Sequence, residues 1–305
     1  MLDIGSNTGH LLVVDASGGA APMPAFSLKE PLRLAEHLDD DGGVDGHGAR
    51  ALREFVSSAL EVAEDKGCEE ILGFATSALR DAAKGEQVLD AVRRRTGVDI
   101  EVLAGEDEAR LTFLAVRRWF GWSSGRLAVF DIGGGSLEIA VGSDERPDVA
   151  QSLPLGAARL TRQHLAGGSD TGAVRELRRR IRATLARDAG AVTRSTPDHS
   201  VATSKTFRSL ARICGAAPSA EGPLVRRVLD ATVLRDRIPK LLEMDVEGVA
   251  DLPGVSSSRA HQIVAGALVA DAVMDLFDLS ELEICPWALR EGIILERLDQ
   301  IGVRG

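Results

Sequence analysis

Apolar residues occur along the chain in short runs that alternate with longer segments of helical periodicity. Runs of apolar and β-branched residues predict strands at 11–15, 70–75, 99–103 and 127–131. Apolar positions spaced three and four apart predict helices at 49–66, 85–95, 106–120 and 259–277, with Gly67 and Gly97 ending the first two. This alternation is typical of α/β proteins, in which helices cover the sheets.

A segment near the N-terminus is repeated in the middle of the chain. Residues 3–14, Asp-Ile-Gly-Ser-Asn-Thr-Gly-His-Leu-Leu-Val-Val, align without a gap with residues 131–142, Asp-Ile-Gly-Gly-Gly-Ser-Leu-Glu-Ile-Ala-Val-Gly. A spacing of about 130 residues is too long for a solenoid repeat and indicates two related domains facing each other. The turn-rich residues 121–125 divide the chain into a first domain, 1–124, and a second, 125–305. The last helix, about 289–303, could pack back on the first domain.

Both repeated turns have the composition of a phosphate-binding loop. Glycine and small hydroxyl residues let backbone N–H groups converge on a phosphate without obstruction, and the hydroxyls add further donors. A single such turn would equally be a flexible hairpin connection, but two matched copies favour binding. The predicted phosphate ligands are Ser6, Asn7 and Thr8 in the first turn and Gly133, Gly134, Gly135 and Ser136 in the second.

The acidic residue at the start of each turn indicates a metal ion. Asp3 and Asp131 would repel a phosphate unless a divalent cation, Mg²⁺ or Mn²⁺, lies between the carboxylates and the substrate. Glu138, on the strand after the second turn, could join them. The alternative is that the aspartates cap their turns and that Glu138 faces solvent. His10 matches Glu138 in position, and a lone histidine beside an apolar strand favours a structural hydrogen bond over metal ligation.

Several further segments, taken with the two turns, resemble the exopolyphosphatase and guanosine pentaphosphatase family, and the resemblance covers essentially the whole chain. The segments are 76–81, 105–111, 153–157, 201–208 and 284–292, the last three being similar to the short actinobacterial members. The resemblance implies an actin-like (ASKHA) α/β fold of two ribonuclease-H-like domains, with the active site in the cleft between them. It also implies release of orthophosphate from the ends of inorganic polyphosphate, with short chains preferred because no additional domain is present.

Two residues outside the repeat are implied to take part in the reaction. The resemblance places the catalytic base at Glu108, in the Glu-Asp-Glu-Ala-Arg-Leu segment. Hydrolysis of a phosphoanhydride needs a group that orients and deprotonates the water, and positive charge around the transferring phosphoryl group. Arg80 could supply that charge bidentately. The alternatives are that Glu108 complements the dipole of its helix and that Arg80 forms a surface ion pair with Asp81 or Glu86.

The sequence departs from the family at one point. Many relatives have a glycine pair where this chain has Ser204 and Lys205, so a nucleoside approaching the backbone there would meet side chains. Lys205 and Arg208 could instead bind phosphates further along a polymer, or simply lie on a solvated helix start. The departure favours polyphosphate, and leaves guanosine pentaphosphate hydrolysis, an actin-like kinase, or a non-catalytic polyphosphate or alarmone sensor as alternatives.

Composition and charge narrow the class of protein. The net charge of −10 and pI of about 5.2 argue against a nucleic-acid partner. Three distant cysteines indicate neither a zinc site nor a disulfide scaffold, and the absence of a long apolar run argues against membrane insertion. We therefore expect a cytoplasmic protein. The broad apolar face of the helix predicted at 259–277 could be core or a homodimer contact.

Overall fold

The computed structural model describes residues 1–17, 21–34, 36–37, 39, 42–190 and 196–302, and residue 303 of the predicted last helix lies outside them. The chain forms two compact units. The first unit consists of Met1–Gly105 and the C-terminal segment from Ile293 onward, and the second of Glu106–Gly292. The domain boundary after residue 124 stays a prediction.

Two sheets and their covering helices make up these units. The strands are β1 (Leu2–Ile4), β2 (Thr8–Asp15), β3 (Met23–Pro31), β4 (Gly73–Ala75), β5 (Ile100–Val102), β6 (Leu127–Ile132), β7 (Leu137–Gly142), β8 (Val149–Leu153), β9 (His199–Thr203), β10 (Val228–Asp230) and β11 (Glu281–Ile284). The helices are α1 (Gly46–Asp65), α2 (Ser77–Arg80), α3 (Gly85–Thr96), α4 (Gly105–Phe120), α5 (Ala157–His164), α6 (Thr171–Asp188), α7 (Ser204–Ile213), α8 (Ala231–Glu243), α9 (Val246–Ala250), α10 (Ser257–Ala260), α11 (Ile263–Leu276) and α12 (Leu289–Gly302).

The sheet of the first unit has the strand order β3-β2-β1-β4-β5. Strand β2 pairs antiparallel with both β1 and β3. On the other side of β1, β4 pairs parallel with β1, and β5 pairs parallel with β4. Leu2 and Ile4 of β1 pack in one core with Phe55 of α1. A Cβ on Gly9 would lie 2.5 Å from the Phe55 ring, so glycine at this position lets α1 lie close against β2.

The sheet of the second unit has the order β10-β11-β9-β6-β7-β8, and both of its faces are covered. Leu127 and Val129 of β6 pack in one cluster with Phe113 of α4. The alternate residues Ala128 and Phe130 pack in the larger core on the opposite face. Burial on both faces explains why this strand is a continuous apolar run rather than an alternating one.

The helix predicted at 259–277 is two helices, α10 and α11, with His261 and Gln262 between them. The apolar face of α11 is buried inside the second unit, which confirms the prediction of a core helix. A dimer contact through that face is wrong, because its side chains are already covered: Ile263, Val264, Ala267, Leu268, Val269, Ala272 and Val273.

Arg117, near the end of α4, has only 1% of its surface exposed. Its guanidinium donates to the carbonyl oxygens of Gly125 at 2.7 Å and Gly142 at 3.2 Å, and to Ser124 Oγ at 2.9 Å. Its Nε donates to the carbonyl oxygen of Asp144 at 3.3 Å. Burial lowers the pKa of Arg117. The side chain therefore ties the turn after α4 to the end of β7.

The α/β class predicted from the sequence is confirmed, and the predicted helices and strands of the first 131 residues are all present with shifted ends. The strand predicted at 70–75 is confined to β4, and the helix predicted at 49–66 begins earlier because Asp45 caps it. None of the described helices is long and apolar enough to cross a membrane.

Candidate functional site

The two repeated segments form hairpins with the same register. In the first unit Asp3 lies opposite His10 and Ile4 lies opposite Gly9. In the second unit Asp131 lies opposite Glu138, and Ile132 lies opposite Leu137. The gapless alignment of the two segments is therefore confirmed as a structural repeat. His10 Nε2 lies 3.0 Å from Ser27 Oγ, which is the structural hydrogen bond expected for it.

The second loop, residues 133–136, is a tight turn. The Gly133 N–H donates to the carbonyl oxygen of Ser136 at 2.9 Å. The carbonyl oxygens of Gly133 and Gly134 accept from the amides of Ala157 and Arg159, at 3.0 and 2.9 Å. The first turn of α5 thus orients the peptide groups of the loop.

Gly156 allows the loop to lie against the start of α5. A Cβ at this position would lie 2.2 Å from the carbonyl carbon of Gly135 and 2.3 Å from the amide nitrogen of Ser136. Both atoms belong to the backbone, so no side-chain rotation could relieve the clash. The shape of the predicted phosphate loop therefore depends on a glycine twenty residues after it in the chain.

Three carboxylates of the second unit interact with one another. Glu108 lies in the first turn of α4 and is buried, as is Glu138 on β7. Burial raises the pKa of Glu138 well above its usual value, and the charges of Glu108 and Asp131 raise it further. Ser152 Oγ donates to Glu138 Oε1 at 2.8 Å. Glu138 therefore does not face solvent, and that alternative is wrong.

Asp131, at the end of β6, is half-buried beside positively charged groups. Burial raises its pKa to about 6, while Arg208, Arg259 and a hydrogen bond from Ser204 oppose this shift. Arg208 Nε also donates to the carbonyl oxygen of Ser204 at 3.1 Å. Asp131, Ser204 and Arg208 thus form one connected group.

The structure adds two arginines, Arg259 and Arg290, to the basic residues predicted for the second unit. Arg208 is half-buried on α7, and its pKa is lowered first by burial and then by the charge of Arg290. Lys205 is exposed in the first turn of the same helix. Arg259 and Arg290 were missed as site residues: Arg259 is a single arginine outside the recognised segments, and Arg290 lies within segment 284–292, to which no role was assigned. Ser204 could have been found from the tripeptide Ala-Thr-Ser, which occurs at 75–77 and again at 202–204.

The first loop, residues 5–8, is also a tight turn, closed by the Gly5 amide donating to the carbonyl oxygen of Thr8 at 3.1 Å. Ser6 and Asn7 are buried and Thr8 is half-buried. Ser6 Oγ lies 3.3 Å from Ser77 Oγ at the start of α2. The first loop therefore contacts the same Ala-Thr-Ser tripeptide whose second copy reaches Asp131.

Arg80 ends α2. Its Nη1 donates to the carbonyl oxygen of Leu103 at 3.1 Å, and its Nε lies 3.3 Å from Asp81 Oδ1. The ion pair considered as the alternative for Arg80 is present, with Asp81 as the partner. The Asp81 side chain is 39% exposed, so solvent screens this ion pair and its contribution is small.

The carboxylates of the second unit suit a hard divalent cation. Asp131 and Glu138 face each other across the hairpin, and burial opposes the ionisation of both. A cation would remove that opposition, and Mg²⁺ needs only one or two carboxylates because it keeps several waters. Among the described residues there is no group of three or more His, Cys, Asp or Glu arranged to hold a metal ion by themselves. Water and substrate oxygens would therefore complete the coordination.

Comparison of the sequence with known families gives one match across nearly the whole chain. Residues 12–301 match the Ppx/GppA phosphatase family. "Exopolyphosphatase 1" of Mycobacterium tuberculosis is 53% identical over 301 residues, which is 98% of this chain and 88% of that protein. A "guanosine-5'-triphosphate,3'-diphosphate pyrophosphatase" of Vibrio atlanticus is 26% identical, and the alignment covers 59% of its length.

Solved structures show the same fold. A crystal structure of an exopolyphosphatase from Cytophaga hutchinsonii matches with a TM-score of 0.87 and 20% identity, over 98% of this chain and 97% of that one. An Aquifex aeolicus member of the Ppx/GppA family matches with a TM-score of 0.80 and 21% identity, over the same shares of the two chains.

Proposed function

Because the chain belongs to the Ppx/GppA phosphatase family, we propose that it is an exopolyphosphatase that hydrolyses the terminal phosphoanhydride bonds of inorganic polyphosphate. Each turnover consumes one water and releases one orthophosphate. The observation that carries the proposal is the group formed by Glu108, Asp131 and Glu138 beside the glycine loop 133–136. It is supported by the 53% identity to an exopolyphosphatase over 98% of the chain.

Glu108 is the proposed general base. It is held in the first turn of a helix whose next turns pack against β6, so its position is fixed by the core of the second unit. A carboxylate in hydrogen-bond reach of the attacking water can orient it and accept its proton. The proton passes to Glu108 as the water oxygen bonds to the terminal phosphorus, and the bridging oxygen leaves with the shortened chain.

Asp131 and Glu138, with Asp3 of the first unit, are the proposed residues for binding Mg²⁺ or Mn²⁺. The cation would neutralise charge on the phosphate oxygens as the bond to the leaving chain breaks. Ser152 fixes one oxygen of Glu138 by its hydrogen bond at 2.8 Å. The other oxygen of Glu138 and the carboxylate of Asp131 would then be the coordinating groups that the second unit contributes.

The remaining predicted residues would bind the polyphosphate chain. The amides and hydroxyls of the two loops are suited to the terminal phosphate, and Arg80 is suited to the charge that develops during transfer. Lys205 and Arg208 lie within one turn of α7 and present positive charge to phosphates further along the polymer. Arg259 and Arg290 belong to the same positive region, since each acts electrostatically on Asp131 or Arg208.

Phosphate release tests the proposal and separates it from its alternatives. Purified protein is assayed with Mg²⁺ on short-chain polyphosphate, guanosine pentaphosphate and ATP. We expect release from polyphosphate with the highest kcat/KM of the three. Higher kcat/KM on guanosine pentaphosphate would assign the alarmone as substrate, and binding of polyphosphate without release would assign a sensor.

Matched variants on α4 test the role of Glu108. Glu108→Gln keeps the shape of the side chain but cannot accept a proton, and we expect kcat to fall by about 10²- to 10⁴-fold. Glu106→Gln changes an exposed acid in the same turn and should leave kcat within about twofold. Unchanged turnover in Glu108→Gln would remove Glu108 as the base.

A further inference from the structure

The backbone of Ser204 has a conformation that serine rarely adopts. Among the described residues, four non-glycine positions have a positive φ, and Ser204 has the largest, at 83°. Such a conformation is typical of glycine and costs a non-glycine residue about 1–3 kcal/mol. The others, Arg33, Lys84 and Asp278, have φ of 47°, 63° and 51°, nearer the left-handed helical value.

The hydrogen bonds of the Ser204 side chain have a fixed direction. The amide of Phe207 lies 3.4 Å from Ser204 Oγ and can only donate, so the hydroxyl oxygen accepts there. The single hydroxyl proton is then available for the carboxylate of Asp131, to which Ser204 is hydrogen-bonded. The carbonyl oxygen of Ser204 meanwhile accepts from Arg208 Nε at 3.1 Å.

The position of Ser204 follows from the pairing of β6 with β9. Asp131 lies directly opposite Thr203, so the next residue along the chain lies beside the carboxylate. In the first unit Asp3 lies opposite Phe74, two residues before Thr76 of the matching Ala-Thr-Ser tripeptide. That register explains why Ser77 reaches Ser6, whereas Ser204 reaches the acid.

We propose that Ser204 is a positioning residue for Asp131, and that its strained backbone is retained because glycine, which fits this φ, would lack the hydroxyl. The proposal rests on the proposed function, since it assigns Asp131 to the reacting site. Ser204 Oγ directs one oxygen of the Asp131 carboxylate toward itself, which sets the direction of the other. The expected consequence is an effect on kcat rather than on KM for polyphosphate.

Two substitutions separate positioning from stability. Ser204→Ala removes the hydroxyl and keeps the strain, whereas Ser204→Gly removes both. We expect Ser204→Gly to melt about 2–4 °C above Ser204→Ala. Both should lower kcat to a similar extent, about 10- to 100-fold, as expected for a lost hydrogen bond to a charged group, with KM changed less than about threefold.

Asp278 provides the control for strain alone, because it is exposed at the end of α11 and also has a positive φ. Asp278→Gly should melt above Asp278→Ala by a similar amount, and neither should change kcat. If kcat of the Ser204 variants follows their melting temperature, or if either variant keeps wild-type kcat, the positioning role is refuted.

A double-mutant cycle measures the interaction without turnover. Ser204→Ala, Asp131→Ala and the double variant are compared by thermal unfolding in EDTA, since asparagine at position 131 would keep an acceptor for the hydroxyl. We expect the shifts in melting temperature to be non-additive, because the two side chains share one hydrogen bond. Additive shifts would overturn the proposal even in an active enzyme. If the shifts are non-additive but the protein releases no phosphate, the interaction between Ser204 and Asp131 is supported and only the proposed function is rejected.

Discussion

Replacement of Asp131 by asparagine is expected to stabilise the protein when no divalent cation is present. Burial raises the pKa of Asp131 from its ordinary 3.8 to about 6. A difference of one pKa unit corresponds to about 1.4 kcal/mol, so ionisation of this group opposes folding by about 3 kcal/mol. Asparagine carries no charge and removes that opposition. Because Asp131 is only half-buried, and Arg208 and Arg259 lose a charged partner, we expect a net gain of about 1–2 kcal/mol.

The gain from Asp131→Asn depends on pH in a defined way. Below about pH 3 the aspartate is mostly protonated in both the folded and the unfolded chain, so its pKa shift has almost no effect on stability. The wild type loses stability as pH rises between the unfolded value of 3.8 and the folded value of about 6. At pH 5 about half of the effect is present, and above about pH 7 it is nearly complete. The gain at pH 8 should therefore be about twice that at pH 5.

Thermal unfolding followed by circular dichroism in EDTA measures this gain. For a unit of this size we expect Asp131→Asn to melt about 2–8 °C above the wild type at pH 8. Asp236→Asn, an exposed position on α8, should remain within about 1 °C of the wild type at both pH values. A lower melting temperature for Asp131→Asn at pH 8, or an equal gain at pH 5, would refute the assignment of a penalty to this carboxylate.

Three other substitutions or measurements follow from the structure. Arg117→Lys leaves several carbonyl acceptors without a donor. The free energy of unfolding, measured by urea denaturation, should fall by about 2–4 kcal/mol. A loss below about 1 kcal/mol would contradict the role of Arg117. Gly156→Ala should displace the backbone at Gly135 and reduce kcat by about 10- to 100-fold with an unchanged circular dichroism spectrum, and wild-type kcat would contradict this. Burial raises the pKa of Cys214 to about 11. The rate at which this thiol reacts with a disulfide reagent should therefore rise about tenfold per pH unit between pH 7 and 9. A rate that levels off in that range would argue against the shift.

Hydrophobic pattern and internal repetition were sufficient to predict the α/β class and the duplicated hairpin. The prediction succeeded at β6 because a strand covered on both faces is apolar throughout, and such a run is easy to recognise. The repeat succeeded because both copies kept the acid, the small-residue turn and the strand in one register. Sequence patterns therefore predicted those elements, such as strand β6 and the two hairpins, that are formed by residues close together in the chain.

The residues that sequence analysis missed depend on contacts between distant segments. Arg117 has the appearance of a surface arginine at the end of a helix, and only the carbonyls of Gly125 and Gly142 show why it is buried. Arg259 acts on Asp131 across more than a hundred positions of sequence. The serine at position 204 does not itself indicate a positive φ, because such a backbone conformation is typical of glycine. The roles of all three depend on contacts between segments that are far apart in the chain, which the sequence of one chain does not reveal.

Arg117 also fixes the helical register of α4. Sliding the helix by one residue would translate it by about 1.5 Å and rotate it by about 100°. Such a step would separate the guanidinium from the carbonyl oxygens that accept its hydrogen bonds, and would rotate Phe113 away from Leu127 and Val129. Glu108, at the other end of the helix, would be turned through the same angle. The direction of the proposed base is therefore determined by an arginine about two and a half turns away, which never needs to contact the substrate.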